Sequence, residues 1–303
     1  MMQGNAVRLR LTPRLRSHLM AYAFVAPGLI LLIVTVLYPL VDSFSLSFSY
    51  WPISEFTRPR QFFGLANYLK ILDDAAALNS LLVTAEFAIV SVTTQMVVGL
   101  GVGLLLNTPL RARNLLRSLS ILPLVMAPLV VGLTWRYMFN AEYGLVNYLV
   151  GFVGLQPLAW LASTPWALIS IIVADSWRAT PFVSLVVLAG LQAIPDELYE
   201  ASEIDGANVW QLFRHITLPM LRPALLVALV VRTTDAMNMF DKPYIMTQGG
   251  PFRTTETLAF YVFEVGFRFY DLTYAAALSW IIFALVLVIS LLYVRLLLVR
   301  VDL

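Results

Sequence analysis

The chain has no cysteine among its 303 residues, which excludes disulfides and thiolate metal sites. Charge is also scarce. Asp, Glu, Lys and Arg together make up 13%, against about a quarter in an ordinary soluble domain. Histidine occurs only as His18 and His215, neither beside another metal-binding side chain, so metal-dependent or nucleophile–base hydrolysis has little to build on. No G-x-x-x-x-G-K-[ST] string occurs, so the chain has no phosphate loop of its own for ATP hydrolysis. Internal repeats and low-complexity linkers are missing too, which makes it one integral domain.

What fills the sequence instead is apolar residue, at 60%. A helix needs roughly 20 consecutive apolar residues to cross a bilayer. Six runs qualify, near 19–41, 80–106, 118–139, 164–190, 222–240 and 273–295. The expectation is an all-α integral membrane protein with short tails at 1–18 and 296–303 around a six-span domain at 19–295. Leu19 to Val41 is too long for a signal-peptide core and lacks a convincing A-x-A site, so the first run reads as a retained anchor. Gly99-Leu100-Gly101-Val102-Gly103 has no preceding strand and lies in wholly apolar surroundings. It reads as a helix-packing stripe of small residues, not a nucleotide loop.

Basic residues near the span ends set orientation. Arg8, Arg10, Arg14, Arg16, Arg111, Arg113, Arg117, Arg214, Arg222, Arg295 and Arg300 fall on one side. Arg58, Arg60, Lys70, Lys242, Arg253 and Arg268 fall on the other. The richer side is expected to be cytoplasmic and holds both termini. The outer side then has an aromatic-rich segment at 43–79 with a turn at Gly64 and a short helix to Asp73 and Asp74. It also has a loop at 140–163 with a short amphipathic helix, and a tight turn at Thr247-Gln248-Gly249-Gly250-Pro251. The 43–79 aromatics suit the headgroup level, and the segment also suits a platform for an external protein.

Between the fourth and fifth runs lies a polar island at about 193–221. Pro195 suits the start of a helix, and Asp196 and Glu197 follow where the helix dipole favours negative charge. Gly206 supplies a turn with positive φ. Asn208 and Gln211 are spaced as a capping box for a second helix, expected to end before Pro219. Packing gives a membrane protein no reason for such an acidic hairpin, so a soluble partner is expected to read it.

The island has Glu200-Ala201, four residues, Gly206, nine residues, then Ile216-x-Leu218-Pro219. This resembles the EAA loop of permease subunits in binding-protein-dependent ABC importers, with Ser202 where many members have a second Ala. The resemblance implies a type I ABC importer permease fold with a helix–Gly–helix coupling loop, and a coupling role for Glu200, Ala201, Ser202, Asp205, Gly206, Ile216, Leu218 and Pro219. It implies a bacterial inner-membrane location and several partners. These are an ATPase dimer that holds ATP and Mg, a second homologous permease (a heterodimer in sugar-type systems), and an external substrate-binding protein. The chain itself would be no enzyme and would bind no cofactor, metal or nucleic acid.

Ionisable groups in hydrocarbon are costly and usually face a cavity or a partner. Here Asp175, Trp177 and Arg178 stand in "DSWRATPF", and Arg232, Asp235, Asn238, Phe240 and Asp241 in "RTTDAMNMFDKPY". Arg232 and Asp235 lie one helical turn apart and can pair. Glu86 and Gln95 fall inside the second run, and Arg136 near the outer end of the third. One reading is structural pairing and snorkelling, which suits Arg136 and an Asp175–Arg178 pair. The other is a hydrated path for a sugar, with aromatics such as Trp177, Tyr137 and Phe240. These strings, and "GLANYLKIL" at 64–72, are similar to those of carbohydrate permeases, which also accept polyols and glycerol 3-phosphate. An ion-coupled secondary transporter using Asp175 or Asp235 is the rival from another class, but it leaves the acidic island unexplained.

Overall fold

The computed structural model describes residues 13–52, 57–109 and 113–298. Most of the expected tail at 1–18 (residues 1–12, with Arg8 and Arg10), the end of the one at 296–303 (residues 299–303, with Arg300) and Arg111 lie outside the described residues. The chain begins with α1 (Pro13–Leu32), a π-helical turn at Ile33–Leu37 and α2 (Tyr38–Ser47). A two-stranded ribbon of β1 (Ser49–Tyr50) and β2 (Gln61–Phe62) pairs antiparallel, with Ser49 opposite Phe62. Then come α3 (Ala66–Asp73), α4 (Ala75–Asn107), α5 (Arg113–Val125), α6 (Pro128–Met138), α7 (Leu145–Phe152) and α8 (Trp166–Gln192). The polar island holds α9 (Asp196–Ile204), α10 (Val209–Leu212), a π turn at Phe213–Thr217 and α11 (Leu218–Met220). The chain closes with α12 (Arg222–Met237), α13 (Leu258–Phe263) and α14 (Leu272–Leu298).

Among the described residues four helices are long and apolar enough to cross a membrane: Tyr22–Ser47, Ala75–Asn107, Trp166–Gln192 and Leu272–Leu297. The expected third and fifth spans are bent. Leu115–Val125 meets Pro128–Met138 at 96°, and Val209–Met220 meets Arg222–Met237 at 62°. The first bend has a direct cause. A residue before proline is pushed out of the α region, and Ala127, ahead of Pro128, sits at φ −59°, ψ 137°. Six crossings therefore require each bent pair to serve as one. The fifth helix also stops at Met237, short of the expected 240, with Asn238 as its C-cap.

α4 and α8 form the central pair, and the glycine stripe explains how they approach. A Cβ on Gly99 would lie 2.5 Å from Val183 Cβ, and one on Gly103 2.6 Å from Val187 Cγ1. Gly101 faces open space. Two of the three glycines thus let the α8 side chains seat directly on the α4 backbone, as expected from their spacing.

At the end of the bundle remote from the polar island, Asp74 knots four elements. Its carboxylate caps α4 by accepting from the Ala76 and Ala77 amides at 2.9 and 3.2 Å. It also accepts the hydroxyls of Tyr261 on α13, at 2.7 Å, and Tyr274 on α14, at 2.8 Å. Lys70 of α3 pairs with Asp271 at 3.1 Å and lies over the Tyr274 ring. Gly64 turns with φ +61° just ahead of α3, as its position suggests. In the loop after α6, Asn147 of α7 donates to the Ala141 and Leu158 carbonyls and accepts from Trp160 Nε1.

Substituting Gly99 or Gly103 by Val should lower the melting temperature of the purified protein, by an overpacking cost of about 1–3 kcal/mol each. Gly101→Ala should leave it unchanged. A second expectation concerns Asp74. Burial pushes its pKa up, but the two phenols and two amides outweigh that and hold it below the ordinary value. Its stabilisation is therefore complete above the unfolded-state pKa of about 3.9 and is lost as pH falls through the lower folded value. Melting curves of wild type and Asp74→Asn should differ at pH 7 and converge as the pH drops below that window.

Candidate functional site

Two constellations carry the chain's unusual chemistry. The first is the polar island, which folds as an exposed elbow. Pro195 sits at the N-cap of α9 in an extended conformation, one residue ahead of the first turn, and Asp196 and Glu197 occupy that turn. The chain reverses at Gly206, whose φ is +81° and whose Cβ position faces open space. Both halves of the capping box form: Gln211 N donates to Asn208 Oδ1 at 2.9 Å, and Asn208 N to Gln211 Oε1 at 2.8 Å. The two arms are tied by Tyr199 Oη and Thr217 Oγ1, 3.0 Å apart. One expectation is corrected here. The second arm does not end before Pro219 but runs through it to Met220. A π turn precedes Pro219, which stands at the start of a new α segment where a missing N–H costs little.

Glu200, Ala201, Asp205 and Gly206 are exposed, whereas Ser202, Ile216, Leu218 and Pro219 are half-buried. Ser202, Asp205 and Ile216 line a cleft of about 270 Å³ inside the elbow, together with Gln211 and His215. Among the described residues the five acids of α9 and its turn form no ion pair, and so remain available to another molecule. Sequence reasoning passed over the apolar part of this surface. Ile204 is 87% exposed, Val209 83% and Trp210 66%. Their signal was three large apolar residues around a glycine turn in an otherwise polar stretch.

The second constellation is a buried charge cluster. Asp175 of α8 is fully enclosed. It accepts from Ser91 Oγ at 2.9 Å and Gln95 Nε2 at 2.8 Å, both on α4. Arg232 Nη2 of α12 lies 3.4 Å from Asp175 Oδ2, and Lys242 Nζ lies 3.1 Å from Oδ1. Arg232 also donates to Gln95 Oε1 at 2.7 Å and to Asp235 at 2.8 Å. Lys242 has Asp241 as its second carboxylate, at 3.4 Å. The expected Arg232–Asp235 pair is present.

The expected Asp175–Arg178 pair is not. Asp175 points at the facing helices α4 and α12, while Arg178 donates to the Met126 carbonyl at the α5–α6 break, 3.3 Å away. Lys242, counted above among the basic residues near span ends on the outer side, is buried at 1% exposure. An amine one residue after an acid, at the end of an apolar run, was its available signal. Arg136 is structural, as read, and bonds the Ile245 carbonyl at 3.0 Å.

A cavity of about 340 Å³ opens onto this cluster. It gathers Asp175, Arg178, Arg232, Asp235 and Asn238 from the expected path, and adds Asp241 and Lys242. Trp177 and Phe240 are elsewhere. Trp177 meets Trp135 edge-on at 5.9 Å on the wall of a separate cavity of about 580 Å³. Phe240 stacks on Tyr244 and packs against Phe263. Tyr137 lines a third recess, beside Arg136. The charged cavity has three carboxylates and three cations, so it offers hydrogen-bonding groups with no net charge.

Residues 95–300 match the family described as binding-protein-dependent transport system inner membrane component. The matched stretch contains both the elbow and most of the cluster. The chain is 36% identical over 280 residues to the trehalose/maltose transport system permease protein MalF of Thermococcus litoralis, covering 92% of this chain and 94% of that one. It is 35% identical over 281 residues to the sulfoquinovosyl glycerol transport system permease protein SmoG of Agrobacterium fabrum, covering 93% and 91%. Among solved structures, a bacterial ABC transporter involved in import of the acidic polysaccharide alginate superposes with a TM-score of 0.81 at 20% identity, covering 97% of this chain and 99% of that one.

Removing one partner from a buried ion cluster leaves an uncompensated charge and costs about 3–5 kcal/mol. Lys242→Met and Asp175→Asn should each lower the melting temperature accordingly. The double variant should melt closer to wild type than the sum of the two losses predicts, because the two groups are in contact.

Proposed function

The chain belongs to the family of binding-protein-dependent transport system inner membrane components, and from that premise we propose that it forms half of the translocation path of an ATP-driven importer for a sugar or a related polar carbon source. Its multi-pass helices hold it in the inner membrane, with the elbow and both termini on the cytoplasmic side. The curated relatives named for trehalose, maltose and sulfoquinovosyl glycerol support a sugar-like substrate. The chain breaks no bond itself. A partner ATPase dimer binds ATP and Mg, a second related permease completes the path, and an external binding protein delivers the substrate.

The observation that carries this reading is the exposed elbow. It is a helical reversal whose second arm opens on a capping box, with five acids that form no ion pair among the described residues and three solvent-facing apolar side chains, a surface that suits a cleft in another protein. Glu200, Ala201 and Ser202 face that cleft in the proposed complex, and Asp205 and Gly206 shape the turn. Ile216, Leu218 and Pro219 anchor the returning arm on the bundle. Closure of the ATPases on ATP draws the elbows of the two permeases together and turns the path outward; hydrolysis resets it. Asp235, Asn238, Asp241 and Arg178 are the cavity's reachable hydrogen-bonding groups, and a substrate rich in hydroxyls matches such a lining. Trp177 and Phe240 lie outside that cavity and take no part in first contact with substrate.

Reconstituted with its ATPase and second permease, the chain should hydrolyse ATP faster when sugar-loaded binding protein is added. Gly206→Pro should abolish that stimulation in an assembled complex, because proline fixes φ near −65° where the turn needs +81°. Gly206→Ala meets no atom within 4 Å and carries only the left-handed strain of about 1–2 kcal/mol, so part of the stimulation should survive. Stimulation of Gly206→Pro equal to wild type would remove the elbow from the coupling route.

A further inference from the structure

The recess at the end of α6 holds chemistry that the mechanism above does not use. It measures about 350 Å³ and is lined by Leu133, Arg136, Tyr137, Asn140 and Tyr143. Its neighbours fix its place in the bundle. Phe139, the C-cap of α6, packs on Trp160, and Trp160 meets Trp166 at the start of α8. That is the end of α8 opposite the elbow, so the recess lies at the far end of the bundle. It also shares two elements with the charged cavity. Pro128 lines that cavity from the first turn of α6, about 12 Å of helix before Arg136. Lys242 lines it just ahead of the π-helical turn Pro243–Thr247, whose Ile245 carbonyl accepts from Arg136.

The recess presents donors and no carboxylate. Asn140 Oδ1 accepts from the Glu142 and Tyr143 amides at 2.9 and 3.2 Å, which fixes the side-chain amide and leaves Nδ2 as a donor. Gly144 locks this turn. Its N–H bonds the Asn140 carbonyl at 3.0 Å, and a Cβ there would collide with the same oxygen. Arg136 spends Nη1 on Ile245 and, unlike Arg232 and Lys242, has no carboxylate partner among the described residues. Tyr137 is 64% exposed and Tyr143 67%. Among the described residues neither hydroxyl forms a hydrogen bond and neither ring meets another aromatic. Glu142, the acid nearest in sequence, is not part of the lining. A positive recess therefore stands beside a cavity whose charges cancel.

On the proposed importer reading, we propose that this recess is an entry subsite for substrate, and that it selects a sugar or polyol bearing one oxyanion, such as a carboxylate or phosphate. The Arg136 guanidinium takes the oxyanion in a charge-assisted hydrogen bond. The two phenols and the Asn140 amide take hydroxyls, and the open tyrosine rings suit the apolar face of a sugar. The volume suits one such ring. The balanced cavity beyond has no excess of positive charge to trap the same oxyanion. A solute on its way through needs such a step from tighter to looser binding.

Because the chain has no native cysteine, Leu133→Cys places a single thiol of this subunit on the recess wall. The variant is reconstituted as the whole importer in proteoliposomes, and mass spectrometry of its peptide follows modification of that thiol. Two membrane-impermeant methanethiosulfonates of opposite charge are applied from outside. Relative to a free thiol, the anionic reagent should be favoured over the cationic one, and Arg136→Gln should remove the preference. Glucuronate or glucose 6-phosphate should protect the thiol, whereas glucose, or inorganic sulfate at equal ionic strength, should protect far less. Arg136→Gln should weaken that protection about tenfold, the size of one charge-assisted hydrogen bond. Tyr143→Phe, which removes only an exposed hydroxyl, supplies a second reading if Arg136→Gln fails to assemble. It should weaken protection while leaving the charge preference intact. Protection by glucose equal to that by both anionic sugars overturns the proposal. Sulfate as effective as either of them means an adventitious ion only and overturns it too. So does a thiol that neither reagent reaches, or one blocked by substrate-free binding protein, which makes the recess a protein contact. In each of these cases the importer reading stands if sugar-loaded binding protein still stimulates ATP hydrolysis. If ATPase and second permease do not co-purify with wild type, that reading fails and the entry subsite falls with it.

Discussion

A single carboxylate held away from both water and lipid organises the centre of this molecule. Asp175 accepts from two α4 side chains and pairs with one cation in α12 and another just beyond it. Hydrocarbon offers no replacement for any of these contacts, so the helices that carry them are held at one register and one rotation. A buried ion pair is weak evidence for net stability, because desolvation offsets much of the attraction. Its firmer consequence is specificity. Sliding α4 against α8 by one turn takes Ser91 and Gln95 away from Asp175 and moves Gly99 and Gly103 off Val183 and Val187.

The glycine stripe and the charge cluster depend on each other. Gly99 and Gly103 bring the α4 backbone onto Val183 and Val187, and one turn further from the elbow the same closeness lets Ser91 and Gln95 reach Asp175. Because the cluster balances its own charge, the adjoining cavity holds polar groups without a strong field of either sign. Such a lining favours solutes that offer many hydrogen bonds, and it leaves an isolated ion without a uniform counter-charge.

The apolar runs and the elbow were legible in sequence because both rest on local rules. Span length, the capping box and the φ requirement of Gly206 need no knowledge of neighbours. The Arg232–Asp235 pair was legible for the same reason, being one turn apart on one helix. What was not legible depends on helix rotation and on breaks. Trp177 and Asp175 are two residues apart, so they sit on opposite sides of α8, and a list of polar and aromatic residues in one string cannot divide them. Lys242 read as a span-end cation because its run of apolar residues ends nearby. The chain in fact bends back after Asn238 and takes the amine under Asp175. The bend at Ala127 was announced by Pro128, but not its size.

The elbow and the cluster are joined by only two helices. α8 enters the elbow and carries Asp175; α12 leaves it and carries Arg232. At 1.5 Å per residue, Asp175 stands about 26 Å before the end of α8, and Arg232 about 15 Å after the start of α12. Where the two helices meet the elbow they are in close contact: a Cβ on Gly190 would lie 2.8 Å from Leu221 Cδ2 and 2.9 Å from Ala224 Cβ. A force on the elbow therefore acts on both helices at one tight junction, and both lead from it to the cluster. The 62° bend at Leu221 gives α12 a pivot next to the elbow, and Pro181 interrupts α8 between Asp175 and the elbow. In the proposed importer, these breaks let α12 and α8 tilt against each other at the junction. The contacts first strained by such a tilt are Arg232–Asp175, already at 3.4 Å, and Arg232–Gln95. On that reading the charges that fix the resting register are also the groups that such a movement re-pairs, beside the cavity that a substrate would enter.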